Sequence, residues 1–279
     1  MESDSASSRI RTALSDLKSR LKELDSAVVA FSGGVDSALL LRVAADTEGF
    51  RFIAVTTTSP TTPPGETEAA RALAASFRAQ HRVVCVNELD TPGYAANPPN
   101  RCYLCKQSLY PHCRAIAAEH DCRHVIDGVN ADDLGDYRPG LVAAALFEVR
   151  HPLAEAGLTK AHVRELSRHY ELPTAGKPAS PCLSSRFPYG TAITEERLRQ
   201  VAAAESALHH LGFRELRVRH LGRAARVELA SDEQDRLDDP GMREQVIRGV
   251  EAAGFDHVEI SPLALRSGSL NDVLRPRER

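Results

Sequence analysis

The stretch AVVAFSGGVDSALLLRV, residues 27–43, decides the fold. Its first residues form a short apolar run of the kind that makes a buried strand. The run breaks at Ser32-Gly33-Gly34-Val35-Asp36-Ser37, and apolar residues at helical spacing follow at once, predicting a helix over 37–46. Glycines let the chain turn sharply and approach a ligand without a Cβ in the way. The helix then directs its unbonded N–H groups and positive dipole end at the turn. Ser32 and Ser37 add hydroxyl donors. Such a turn suits a phosphate or pyrophosphate. It lacks the lysine of a Walker A loop and the spacing of the dinucleotide fingerprint. The plain alternative is an ordinary strand–turn–helix with a capping serine.

Working outward, residues 10–24 place Ile10, Leu14, Leu17, Leu21 and Leu24 at helical spacing, after a polar start at 1–7 that reads as disordered. Further strands are expected at 52–55, 82–86 and 124–127, with helices over 65–78 and 107–119 between them. Strands alternating with helices imply an α/β fold with a parallel sheet. The Pro-, Asn- and Gly-rich segment 91–106 reads as an ordered functional loop. Near Tyr189-Gly190 the pattern changes. Thr194 can cap a helix to about 211, a hairpin of alternating residues turns at Gly222, Ser231 can cap a further helical stretch continued over 245–253, and 257–260 is a last strand. The expected organisation is therefore a parallel-sheet domain over 1–189 and a small α+β domain over 190–279.

The 279 residues carry a formal charge of −3, with 42% hydrophobic and 26% charged residues, as a packed globular chain does. That balance offers no broad basic surface, so nucleic acid is not an expected partner. No apolar run approaches the ~18 residues of a membrane span, and the polar N-terminus has no secretory core. A cytoplasmic protein is expected, in which the six cysteines serve metal binding or catalysis more often than disulfides.

A second constellation, Asp127-Gly-Val-Asn130-Ala-Asp132-Asp133-Leu-Gly-Asp136-Tyr-Arg138-Pro-Gly140, follows a strand end. Carboxylates and an asparagine there suit Mg²⁺ and nucleotide hydroxyls; acids decorating a helix start are the alternative.

The string SGGVDS resembles the pyrophosphate loop of the PP-loop ATP pyrophosphatases. Together with NRCYLCK (100–106), GVNADDLGDYRPG (128–140), HPLAEAGLTK (151–160) and GKPASPCLSSRFPYG (176–190), it is similar to the LarE family of ATP-dependent sulfur transferases. The resemblance implies that Ser32, Gly33, Gly34, Asp36 and Ser37 hold the pyrophosphate end of ATP with Mg²⁺, aided by Thr57, Asn130 and Asp133. It implies adenylation of a carboxylate of pyridinium-3,5-biscarboxylic acid mononucleotide, then displacement of AMP by sulfur to give a thiocarboxylate for the nickel-pincer nucleotide cofactor. The substrate is thus a small nucleotide, and the family's habit implies a homo-oligomer. The sequence names no sulfur donor.

Two sulfur sources occur in the family. In one, a single cysteine at the position of Cys182 gives up its own sulfur. In the other, three cysteines hold a [4Fe–4S] cluster, and Cys102, Cys105 and Cys182 are all present here, which favours the cluster. A Cys₄ zinc site from Cys102, Cys105, Cys113 and Cys122 is the structural rival. Against it, Cys113 shares a helical stripe with Leu109, Ile116 and Ala117, and Cys85 lies in an apolar strand, so both read as core.

Arg217 and Arg219 fall on one face of a strand. Alternation alone fits a solvated face as well as recognition of an anionic substrate; the resemblance favours the substrate phosphate. It also points to Ser185 and Arg186 beside Cys182, and to Glu205 and Arg266 as further substrate contacts. Rival functions are tRNA thiolation, an ammonia-using amide synthetase with no need of the three cysteines, and a non-catalytic nucleotide-binding module.

Overall fold

The computed structural model of the chain describes residues 2–135, 139–266 and 268–274. Helix α1 (Glu2–Leu24) leads to strand β1 (Ser26–Ala30), and the glycine turn carries the chain into α2 (Val35–Ala45). Then come β2 (Arg51–Thr58), α3 (Glu66–Ser76), β3 (His81–Cys85), α4 (Arg101–Glu119) and β4 (His124–Asp127). Helix α5 (Pro139–Leu146), the two-residue β5 (Val149–Arg150), α6 (Pro152–Glu155) and α7 (Lys160–His169) complete this part. These strands form one five-stranded, all-parallel sheet in the order β3-β2-β1-β4-β5.

The fold is α/β, a parallel sheet with helices on both faces. Apolar strand residues alternate between two cores. Val29 and Ile126 pack with Leu17, Leu21, Leu39 and Leu40 of α1 and α2, while Val28, Ile53 and Val125 pack with Tyr110 and Cys113 of α4. Each such side chain, fully buried, contributes about 1.5–3 kcal/mol. The strand order reverses between β1 and β4. Open α/β sheets bind ligands at such a switch point, outside the carboxyl ends of the strands.

The chain divides into two compact units. The first holds 1–59, 65–86 and 102–177. The second holds 178–279 with 60–64 and 87–101 added, whereas the sequence suggested a single cut near 190. The second unit contains α8 (Glu195–His210), β6 (Leu216–Leu221), β7 (Ala224–Leu229), α9 (Pro240–Ala252) and β8 (His257–Ile260). Strands β6 and β7 pair antiparallel across the turn at Gly222, whose φ of +79° suits glycine, and β8 pairs parallel to β7. Leu208, Val218, Val227, Val246 and Val250 are buried in this small α+β unit.

Several local expectations change. Helix α1 starts at Glu2, where polar residues give no periodicity to read. Helix α4 starts at Arg101, so Cys102 and Cys105 occupy its first turn and not a loop. Ser231 begins a short 3-10 helix whose N-cap is Ala230, and α9 is capped by Asp239, which accepts from the amides of Gly241 and Met242. Cys85 is exposed, because β3 is an edge strand. Among the described residues no helix is long and apolar enough to cross a membrane.

Candidate active site

The glycine turn lies at the carboxyl end of β1, and the 127–133 segment leaves the carboxyl end of its neighbour β4. Gly33 has a φ of +74°, and a Cβ on it would come 3.2 Å from the Ala70 Cβ of α3. Ser37 Oγ donates to the Gly34 carbonyl at 3.1 Å and accepts from the Ser32 amide at 3.3 Å. Ser32 Oγ accepts from the Gly34 amide at 3.3 Å. The hydroxyls thus shape the loop, while Gly34, the N-cap of α2, provides no side-chain cap. An uncapped helix start between two strand ends is an anion site in waiting. Thr57 is half-buried at the end of β2, where Thr56 Oγ1 donates to the Phe31 carbonyl at 2.6 Å and Thr67 donates to Thr58 at 3.0 Å.

Asp36 gathers the second segment. Its Oδ1 accepts from Asn130 Nδ2 at 3.1 Å, and its Oδ2 is 2.5 Å from Lys160 Nζ. Asp133 Oδ2 accepts from the Asn130 amide at 3.1 Å, so Asp36, Asn130 and Asp133 are joined through Asn130. The Lys160 amide donates to Asp132 at 2.9 Å. Lys160 lies in the 151–160 string, yet nothing in its immediate neighbourhood marked it as a partner of Asp36, 124 residues away. Gly128 is a second residue that sequence reasoning missed. A Cβ there would lie 2.8 Å from the Ser37 backbone nitrogen, so only glycine lets the two strand ends close. Asp136 and Arg138 lie outside the described residues.

Below this edge, Asp127 is buried and accepts from Tyr110 Oη at 2.9 Å, His151 Nδ1 at 2.7 Å and the Val129 amide at 3.1 Å. Burial opposes its charge. The His151 hydrogen bond, the Lys106 and His151 charges and the Val129 amide together outweigh it and hold the carboxyl below the ordinary range. Burial raises the Tyr110 hydroxyl and, in the same core, pushes the Cys113 thiol up to about 12. Cys113 is an inert core thiol.

Cys102 is exposed and Cys105 half-buried. Three residues apart on one helical turn, they share a face of α4. Gly140 of α5 faces the same turn, and its would-be Cβ lies 3.4 Å from Lys106 Cγ. Cys182 belongs to the second unit, half-buried, as N-cap of the short helix Leu183–Arg186. The donors have the chemistry of iron–sulfur ligands. Among the described residues, however, no three His, Cys, Asp or Glu side chains are grouped to hold a metal ion.

The Cys182 turn is tightly fixed inside its unit. Arg186, 4% exposed, pairs bidentately with Glu205 at 2.9 Å to each oxygen. Its Nη1 donates to the Pro181 and Cys182 carbonyls and to Ser185 Oγ at 2.7, 3.2 and 2.9 Å. Ser184 Oγ meets Tyr94 Oη at 2.8 Å, and the Leu183 amide donates to the Thr61 carbonyl at 2.8 Å. Arg219 donates to Glu228 at 2.8 and 3.0 Å, to the Ser185 carbonyl at 2.8 Å and to Ser269 at 3.0 Å. Arg217 is 6% exposed, and among the described residues no hydrogen bond or ion pair engages its guanidinium. Burial, then the Arg219 and Arg186 charges, lower its pKa. The arginine face is therefore buried, not solvated. Arg266 is exposed and pairs with Asp272; Ser267 beside it lies outside the described residues.

No family model matches the chain. The chain is, however, 36% identical over 267 residues to the pyridinium-3,5-bisthiocarboxylic acid mononucleotide synthase of Lactiplantibacillus plantarum, covering 95% of this chain and 96% of that protein. The chain belongs to the LarE family. Relatives of this LarE-family chain include an uncharacterized protein of Synechocystis sp., 43% identical over 95% of this chain and 99% of its own length. Another is an uncharacterized protein of Methanocaldococcus jannaschii, 28% identical over 90% of this chain and 96% of its own length.

Proposed function

We propose that this chain is an ATP-dependent sulfur transferase acting on pyridinium-3,5-biscarboxylic acid mononucleotide in the making of the nickel-pincer nucleotide cofactor. The observation that carries the reading is the 32–37 loop, built at the β1/β4 switch point with an uncapped helix start, in a chain of the LarE family. A carboxylate resists nucleophiles because oxide is a poor leaving group. Attack of its oxygen on the α-phosphorus of ATP forms the acyl-adenylate and breaks the α–β bond, and the electron pair leaves with pyrophosphate. Ser32, Gly33, Gly34 and Ser37 would receive that pyrophosphate, with Thr57 beside the nucleotide. Asp36 and Asp133 would hold Mg²⁺, which neutralises phosphate charge when bound. Lys160, paired with Asp36, is placed to turn to a phosphate oxygen. An anionic sulfur then forms the C–S bond as the C–O bond to AMP breaks.

In the second unit, Arg217 and Arg219 would take the substrate phosphate. The Arg217 guanidinium is buried and, among the described residues, in no ion pair or hydrogen bond, so it can receive an anion. Arg186 and Glu205 act through the Cys182 turn and Ser185 by holding their backbone. Cys102, Cys105 and Cys182 would hold a [4Fe–4S] cluster, which when bound supplies a transferable sulfide. In a second reading Cys182 surrenders its own sulfur. Iron and acid-labile sulfide in protein purified without air separate the two. The cluster reading expects both, lost together in Cys102→Ala with adenylation kept. Multiple turnovers by Cys102→Ala would contradict it, and dehydroalanine at position 182 after one turnover would establish the second reading.

A further inference from the structure

We propose that Asp127 is a positioning residue for nucleotide binding, tying the cysteine-bearing helix α4 to the 32–37 loop. The inference rests on the reading of that loop as the ATP site. Asp127 ends β4 with its side chain on the Val125 face, toward α4. At 5% exposure its carboxylate is retained because both of its oxygens accept hydrogen bonds. The donors come from three places. Tyr110 belongs to α4, whose first turn carries Cys102 and Cys105. His151 follows β5. The Val129 amide belongs to the turn that leaves β4.

That turn is what meets the nucleotide loop. Gly128 lies against the Ser37 amide, and Asn130 holds Asp36 at 3.1 Å. A shift at Val129 therefore moves both contacts. The path runs through four hydrogen bonds: Tyr110, His151 and the Val129 amide each donate to Asp127, and Asn130 donates to Asp36. None of Tyr110, His151 or Asp127 belongs to the loop it steadies.

The test is calorimetric binding of ATP–Mg²⁺ to the full chain, with the melting temperature measured beside it. Tyr110→Phe removes one hydroxyl and should weaken binding about tenfold, the cost of one hydrogen bond to a charged group. His151→Ala should weaken it as well, and His151→Gln, which keeps a donor, should recover part of the loss. Combined with Asn130→Ala, the Tyr110→Phe effect should be less than additive, because both act on one turn. Ile116→Val, which trims the same core face of α4, should lower the melting temperature without changing affinity. Unchanged affinity in Tyr110→Phe and His151→Ala, with or without a drop in melting temperature, overturns the proposal. A folded wild-type chain that ignores ATP–Mg²⁺ overturns the ATP reading itself and this inference with it.

Discussion

A guanidinium at 6% exposure with two other arginines nearby is an unusual resting state, and Arg217 is held in it by a strand. Removing the charge should relieve the apo protein and harm the enzyme. Arg217→Met is expected to raise stability by about 1 kcal/mol or more without ligand, since the charge it removes is buried and unpaired, and burial with the Arg219 and Arg186 charges outweighs the Glu228 and Glu205 charges. The same variant should raise the substrate KM at least tenfold. Thermal melting and steady-state kinetics check the two halves, and a fall in both stability and KM would contradict the account. The alternation of Arg217 and Arg219 was legible in the sequence, but burial was not, because period two gives the face and not what covers it. The pairing of Arg186 with Glu205 was also hidden, since the two lie 19 residues apart on different elements. Asp36 was legible from its motif, whereas its partner Lys160 required the fold. Lys160→Met should cost ATP affinity and leave the Asp36–Asn130 contact in place. Calorimetry on that variant gives the answer, and wild-type affinity would remove Lys160 from the site.

At the scale of elements, two glycines fix how the strand ends meet. Gly128→Ala places a methyl 2.8 Å from a backbone nitrogen that cannot yield. The expected result is a loss of about 3 kcal/mol or more and no measurable ATP binding, as for overpacked and strained sites. Gly33→Ala combines a positive φ with a 3.2 Å approach to Ala70, so Ala70→Gly should restore only part of its loss. Denaturant titration of the single and double variants checks this; full rescue would show that the φ is not the constraint. The parallel strands and α2 were readable because apolar runs and helical stripes are strong signals. The start of α4 was not, because NPPNRC looks like a loop and the helix begins one residue before Cys102. The two-residue β5 is too short for any periodicity.

For the whole molecule, the acid limb of stability follows from groups whose folded pKa lies below the ordinary value. Burial and then Arg197 lower His220, which sits between Phe187 and Phe255. Its contribution is complete above the unfolded value of about 6.5 and is lost as pH falls through the folded one. Asp127 and Glu155 are likewise held low, Glu155 chiefly by its Arg150 hydrogen bond, so their contributions fade below about pH 4. Urea midpoints should fall in that order on acidification, and Asp127→Asn should start lower at pH 7 yet lose less below pH 4. An unchanged acid limb in that variant would contradict the assignment. The parallel sheet follows from the alternation of strands and helices in the sequence, whereas the strand order and its switch point do not, because alternation leaves the pairing open. The second unit's recruitment of 60–64 and 87–101 does not either, because long-range packing leaves no local pattern.

The claim on which the rest stands is that ATP is cut between its α and β phosphates to prime a carboxylate. Incubating the folded chain with ATP–Mg²⁺ and pyridinium-3,5-biscarboxylic acid mononucleotide, and separating the nucleotides formed, tests it most directly. The account predicts AMP and pyrophosphate in equal amounts, dependent on the dicarboxylate and abolished by Asp36→Asn. ADP and phosphate as products, or intact ATP with a folded protein and saturating substrate, would contradict it.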